Sequence, residues 1–401
     1  KEGDRNLLDH FYKSGLLYWG NWEGDINWDE VGKFDDAEEF YSRYATHQYG
    51  CHGCPIKHSD IFEVPGIGTV AIKCAAWPSL AGPVWNTDRK VMAHACYLCN
   101  KYGLDNISTG NAISFLMELY HKGVITEKDT DGIAMKRGDE KAIISAIHKI
   151  GKQEGFGKLL RDGVLEAAKT IGKGVEDCVM QIKGQEMYFH EVRPFRSHAL
   201  GAAVATRDEI EDHTTICQFW MDYDREGMEK WAEEFYGSKE AAIPDSYEKK
   251  PLMVWDTGNR KCAIDMLGAC RYLTPEMVTP SLKPWAKLFS LATGRDTTED
   301  ELLFAAQRTK VLERAFNVLK GIRKKDDTLP KRIFETPVSG GPFKGDKLDK
   351  KKFDKMIDEY YQLRDWDEDG VPKDETFKKF GLSSEWKVFK KRLGKKAVSH
   401  G

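Results

Sequence analysis

Asn100-Lys101-Tyr102-Gly103-Leu104-Asp105-Asn106-Ile107-Ser108-Thr109-Gly110 is the stretch on which the fold turns. Its Asn, Asp, Ser and Gly content predicts a loop, and helical sequence follows it. Asn111–His121 reads as a helix that Gly123 stops. Further on, Ile143, Ala146, Ile147 and Ile150 within Lys141–Ile150 recur at helical spacing, as do Leu160, Val164, Ala167, Ala168 and Ile171 within Lys158–Gly172. Glu301–Leu319 reads as a strong helix. The tail from Lys344 is rich in Lys and Asp but holds Met356, Tyr360, Tyr361 and Leu363, as a solvated helix does. On the N-terminal side, Ile61–Ala76 reads as a strand or hairpin with Gly66 and Gly68 near its middle. Residues 1–50 read as aromatic-rich short helices and loops. The expected architecture is mostly α, with two helical domains, 1–185 and 186–401, joined near Gly184-Gln185-Glu186.

Composition narrows the function. A chain of 401 residues is long enough for two or three domains and a real core. Lys plus Arg is 61 against 64 Asp plus Glu, a net charge of -3, so no nucleic-acid footprint is expected. No apolar run approaches the length of a membrane span. Lys1–Arg5 is charged and no apolar leader core follows it, which points to no secretory signal and a cytoplasmic location. Nine cysteines, an odd and clustered set, argue against a disulfide framework and for metal binding or reduced core thiols.

The cysteines allow three readings. Cys51-His52-Gly53-Cys54 is a knuckle whose two thiolates suit one metal or two irons of a cluster, and His58 continues it at CxxCxxxH spacing. Paired with Cys96 and Cys99, it would make a structural zinc site, although the gap between the pairs is longer than in the usual ribbon. With a third nearby ligand and a remote cysteine, it would hold an iron–sulfur cluster. The plainest alternative leaves Cys96, Cys178, Cys217 and Cys262 as buried core thiols.

Several segments, in order, resemble the aldehyde ferredoxin oxidoreductase family of tungsten–pterin enzymes. They are Cys51–His58, Asn100–Gly110, Asp265-Met266-Leu267-Gly268-Ala269-Cys270, the run from Ala315 to Pro330, and Asp358–Trp366. The resemblance runs from about residue 15 to 380. It implies the family's two helical domains, domains 2 and 3; its N-terminal β-rich domain, which embraces the pterins, is not found in these residues. It also implies a tungsten or molybdenum bis-pterin, a magnesium ion bridging the pterin phosphates, and a [4Fe–4S] cluster. Asp265 would grip one pterin edge and Asn100 the other, with Gly103, Leu104, Asp105 and Gly268 completing the two motifs. Cys51, Cys54 and Cys270 would ligate the cluster, with His58 standing where the family has its third cysteine. Asn100 replaces the family's Asp and brings no charge. Without the resemblance, Asp265 reads as a helix N-cap and Asp105 as an Asx turn.

The sharpest departure lies in Val70–Trp77. Aldehyde-oxidising members carry a Glu there; this chain has none and offers Cys74, whose thiolate would suit the metal directly. That combination resembles the catalytic subunit of class II benzoyl-CoA reductases. His213 falls where the family places an active-site histidine, and His10 is a second proton carrier; His198 is weighed beside them. The implied reaction is reductive dearomatisation of an aromatic acyl-CoA within a hetero-oligomer, fed by a ferredoxin or an iron–sulfur subunit. The alternatives are ferredoxin-dependent oxidation of an aldehyde and a non-catalytic structural or electron-relay subunit.

Overall fold

Aspartates start many of the helices and glycines end them. The computed structural model describes residues 7–23, 37–73, 75–172, 174–206, 225–270 and 281–398. The chain divides into two units, Lys1–Arg193 with Pro330–Lys347, and Pro194–Leu329 with Leu348–Gly401. The described residues are mostly helical.

The first unit opens with α1 (Leu7–Ser14) and α2 (Ala37–Tyr44). A three-stranded antiparallel sheet follows in the order β1 (Ala45–Tyr49), β2 (Ser59–Val64), β3 (Gly68–Ile72). Phe62 pairs with Val70 across β2 and β3, and both are buried. Rings from α2, β2 and Trp77 pack edge to face over this sheet, Phe62–Trp77 at 5.8 Å and Phe40–Trp77 at 5.7 Å. The Asp88 carboxylate then caps α3 (Arg89–Tyr102) by accepting from the Lys90 and Val91 amides. The next helix, α4 (Asn106–His121), is buried without a break from Thr109 to Leu119. It passes so close to Ser79 that a Cβ on Gly110 would lie 2.0 Å from the Ser79 carbonyl oxygen. Two more helices follow, α5 (Glu140–Lys152) and α6 (Val164–Ile171), then a small hairpin of β4 (Gln181–Ile182) and β5 (Gln185–Glu186).

Three local expectations change. The loop expected over Asn100–Gly110 shrinks to a short turn at Gly103–Asp105, because Asp105 caps a helix that already runs from Asn106. The helix expected over Lys158–Gly172 is broken: a 3₁₀ segment spans Gly155–Leu160, and Gly163, at φ +88°, resets the chain before α6. Strand β1 was not foreseen, since its side chains are mostly exposed and show no alternation.

In the second unit, α7 (Arg196–Val204) is buried along its whole length. Then come α8 (Arg225–Tyr236), α9 (Lys250–Met266), α10 (Lys283–Thr293) and α11 (Glu299–Lys320). The unit closes with α12 (Lys350–Leu363), α13 (Asp374–Lys379) and α14 (Ser383–Val398). Helix α9 is central and packs on α7, α11 and α12. Thr298 and Glu301 form a reciprocal capping box at the start of α11, whose acidic first turn suits the helix dipole. Arg314 of α11 is fully buried. Its guanidinium reaches the Asp327 carboxylate at 2.8 Å and donates to the Gly370 carbonyl at 2.7 Å, while the Tyr361 hydroxyl donates to Asp327. Removing one partner from such a pair costs about 3–5 kcal/mol. Among the described residues, no helix is long and apolar enough to cross a membrane.

Candidate active site

Two helix ends, one in each unit, have the same local build. At the end of α3, the Gly103 amide donates to the Asn100 carbonyl and the Leu104 amide to the Cys99 carbonyl. At the end of α9, the Gly268 amide donates to the Asp265 carbonyl and the Ala269 amide to the Ile264 carbonyl. Gly103 and Gly268 both take φ +69°, the left-handed conformation that closes a helix. Asn100 and Asp265 therefore occupy equivalent places in the last helical turn. Asp265 is half-buried and is not a helix N-cap. A carboxylate at a helix C-terminus opposes the macrodipole, a cost of about 0.3–1 kcal/mol that favours a role other than stability. Asp105 does have a structural duty: its carboxylate accepts from the Ser108 amide at 2.8 Å and caps α4.

The cysteine knuckle lies between β1 and β2. Its turn is closed by the Cys54 amide donating to the Cys51 carbonyl, with Cys51 exposed and Cys54 half-buried, both as free thiols. His58 stands immediately before β2; burial, with the charge of Lys73 behind it, lowers its pKa and favours the neutral imidazole that can ligate a metal. The same sheet reaches the first motif on its far strand, where the Asn100 side-chain amide donates to the Ala71 carbonyl at 3.0 Å. Cys270, in the second unit, is exposed. Among the described residues, no three His, Cys, Asp or Glu side chains gather into a metal-holding group.

Cys96 and Cys99 are buried on α3, and burial pushes both thiols up to about 12. Cys96 is a core thiol, as the plainest alternative expected, and Cys99 is one beside it; the zinc reading that joined them to Cys51 and Cys54 gains nothing. Cys178 and Cys262 are buried as well. His198 is fully buried in α7. His10 lies on α1. Cys74, His213 and Cys217 lie outside the described residues.

Sequence reading missed a buried polar cluster in the first unit. Glu118, on α4, is fully buried and accepts from both Arg332 guanidinium nitrogens at 2.6 and 2.9 Å, from the Asn21 amide at 2.6 Å, and from Lys122. The one available signal was a carboxylate inside an otherwise apolar helix, which needs a cation far away in sequence.

A family model for aldehyde ferredoxin oxidoreductase, domains 2 and 3, matches residues 1–382. The tungsten-containing aldehyde ferredoxin oxidoreductase of Pyrococcus horikoshii is 29% identical over 352 residues, covering 86% of this chain and 54% of that protein. The enzyme of the same name from Pyrococcus abyssi is 29% identical over 388 residues, covering 95% and 60%. The aliphatic sulfonate oxidoreductase, WOR-like subunit, of Pyrococcus furiosus is 27% identical, covering 98% and 63%. This chain therefore spans little more than half the length of the curated relatives it matches. A solved structure, the active-site complex BamBC of benzoyl coenzyme A reductase with 1,5-dienoyl-CoA, shares the fold with a TM-score of 0.78 at 22% identity over 97% of this chain and 61% of that one. By the family match over nearly its whole length, the chain belongs to the aldehyde ferredoxin oxidoreductase family, whose domains 2 and 3 it carries.

Proposed function

We propose that this chain is the helical part of a tungsten–bispterin oxidoreductase that oxidises an aldehyde to a carboxylic acid and passes the electrons to a ferredoxin or an iron–sulfur subunit. The reaction takes aldehyde and water to carboxylic acid, two protons and two electrons. The observation that carries the reading is the pair of equivalent helix ends at Asn100 and Asp265, set within a chain matched to this family. The curated relatives named above for aldehyde oxidation favour this reaction over the ring reduction expected from sequence.

The donor chemistry fits the implied groups. Cys51 and Cys54 are free thiols on a tight, accessible turn, as cluster ligation needs, and His58 favours its neutral form. In this reading Cys51, Cys54, His58 and Cys270 hold the cluster. Asp265 and Asn100 accept hydrogen bonds from the pterin edges, a charged grip and a neutral one. The metal–pterin group supplies the two-electron redox step when it is bound. His213 and His10 carry the protons released on the substrate side.

One observation favours a second reading. Val70–Trp77 holds no Glu and has Cys74 within two positions of where the resemblance places the Glu of aldehyde oxidisers, so no carboxylate in that stretch can activate the attacking water. That pattern suits reduction of an aromatic acyl-CoA, in which two electrons and two protons are added to the ring. Anaerobic purification with elemental analysis, followed by viologen-linked assays on an aldehyde series and on benzoyl-CoA, separates the cases. Tungsten with aldehyde-dependent viologen reduction supports the proposal. Benzoyl-CoA turnover alone transfers the site to the second reading, and iron without tungsten or molybdenum leaves an electron relay.

A further inference from the structure

We infer that the exposed face of α11, with the adjoining α14, docks an acidic amphipathic helix of a partner protein. On α11, a helix of 22 residues, Phe304, Arg308, Leu312, Phe316 and Lys320 follow one another at four-residue steps, and all five are exposed. Phe316 is 60% exposed and Phe304 46%. Large apolar side chains scattered singly over a surface need no explanation, but three in one row on one helix form a patch.

Helix α14 borders this row. Its Phe389 packs in the apolar cluster built on Val311, Ala315 and Val318 of α11. Outward, α14 presents Lys387, Lys390, Lys391 and Arg392, with Val388 53% exposed among them. The whole chain carries a net charge of -3, so this basic face is local. A local field of one sign steers and orients a partner of the opposite sign.

The order of residues selects the occupant. A membrane-surface helix keeps its cations on one face and its apolar residues on the other. Here Arg308 stands between Phe304 and Leu312, and Lys320 follows Phe316 with its ammonium 5.5 Å from that ring. Burying this row in lipid would desolvate two cations. A helix carrying carboxylates between apolar residues at the same four-residue step would pair with the cations and cover the rings, ridge against groove.

The test uses the full chain and a fluorescent synthetic helix with Leu at four-residue steps and Glu between. Its controls are a scrambled peptide and one with Lys for Glu. Two double variants are compared, Leu312→Ser with Phe316→Ser, and Lys387→Glu with Lys390→Glu, each checked for an unchanged circular-dichroism melt. The expected result is saturable binding by the acidic helix alone, weakened roughly tenfold by either variant and reduced by salt. The inference is overturned by equal binding of the scrambled peptide or by no binding at all. It is equally overturned if the same variants instead abolish binding to phosphatidylglycerol vesicles, or abolish self-association seen by light scattering.

Discussion

The side-chain amide of Asn100 donates to the main-chain oxygen of Ala71 across 3.0 Å, tying the last turn of α3 to strand β3. The equivalent Asp265 is a carboxylate and cannot make such a bond. Asn therefore suits position 100 within the first unit: a carboxylate there would face the Ala71 carbonyl and the negative end of α3 together. Asn100→Asp is expected to lower stability by about 0.5–1.5 kcal/mol, the usual worth of one hydrogen bond. Urea melts of both proteins measure it, and a variant as stable as the parent would show that the bond to Ala71 contributes nothing.

Glycine geometry separates two kinds of substitution. Gly103 and Gly268 share φ +69°, and a Cβ on either would meet nothing within 4 Å. Alanine at either position pays only for left-handed backbone, about 1 kcal/mol, and the two losses should be alike. Gly110 sits inside α4, where propensity alone would make alanine stabilising by about 1 kcal/mol. Its Cβ would instead lie 2.0 Å from the Ser79 carbonyl oxygen, backbone against backbone. Gly110→Ala should therefore be the most damaging of the three by chemical denaturation, with the sign opposite to propensity.

The same region shows what sequence can convey. Helix α5 is legible because Ile143, Ala146, Ile147 and Ile150 mark one buried face and its remaining positions are largely polar. The start of α4 is not, because Asn106, Ser108, Thr109 and Gly110 all favour loops on their own; the cap at Asp105 and the close contact at Ser79 override them. Strand β1 carries no alternation, since it is the exposed edge of its sheet. At the candidate site, spacing singles out Cys51, Cys54 and the two glycine-closed motifs, because turn chemistry is local. Glu118 and Arg332 stay hidden because their pairing joins positions far apart in the chain.

Acid should loosen the first unit through Glu118. Burial alone would raise its pKa, but the hydrogen bonds and charge of Arg332, with Lys122 and Asn21, outweigh that and hold it below the ordinary carboxylate value. A depressed folded value adds stability that is complete above the unfolded pKa of about 4.3 and disappears as pH falls through the folded one. Urea midpoints measured from neutral pH downward should drop across that window. Arg332→Met removes the main cause: it should cost about 3–5 kcal/mol at neutral pH and shrink or reverse the acid loss, because burial then raises the carboxyl's folded pKa. An unchanged acid profile in that variant would exclude Glu118 as its source. Cys178 belongs to the same cluster, and burial followed by the Glu118 charge pushes it up to about 11, so it should resist alkylation until the unit opens.

Thiols of different surroundings should fail differently. Cys54 sits on the turn between β1 and β2, where a serine of similar shape leaves the Cys54 amide bond to the Cys51 carbonyl intact. Cys99 is fully buried on α3. Cys54→Ser is therefore expected to keep the melting temperature within a degree or two while iron and labile sulfide per chain fall, because a hydroxyl is a poor iron ligand beside a thiolate. Cys99→Ser should do the reverse: iron is kept in the folded fraction, and stability drops by about 1–3 kcal/mol from placing a hydroxyl in an apolar setting. Anaerobic metal analysis and thermal melts on both variants read the two quantities separately. Full iron in Cys54→Ser would remove the knuckle from the proposed cluster.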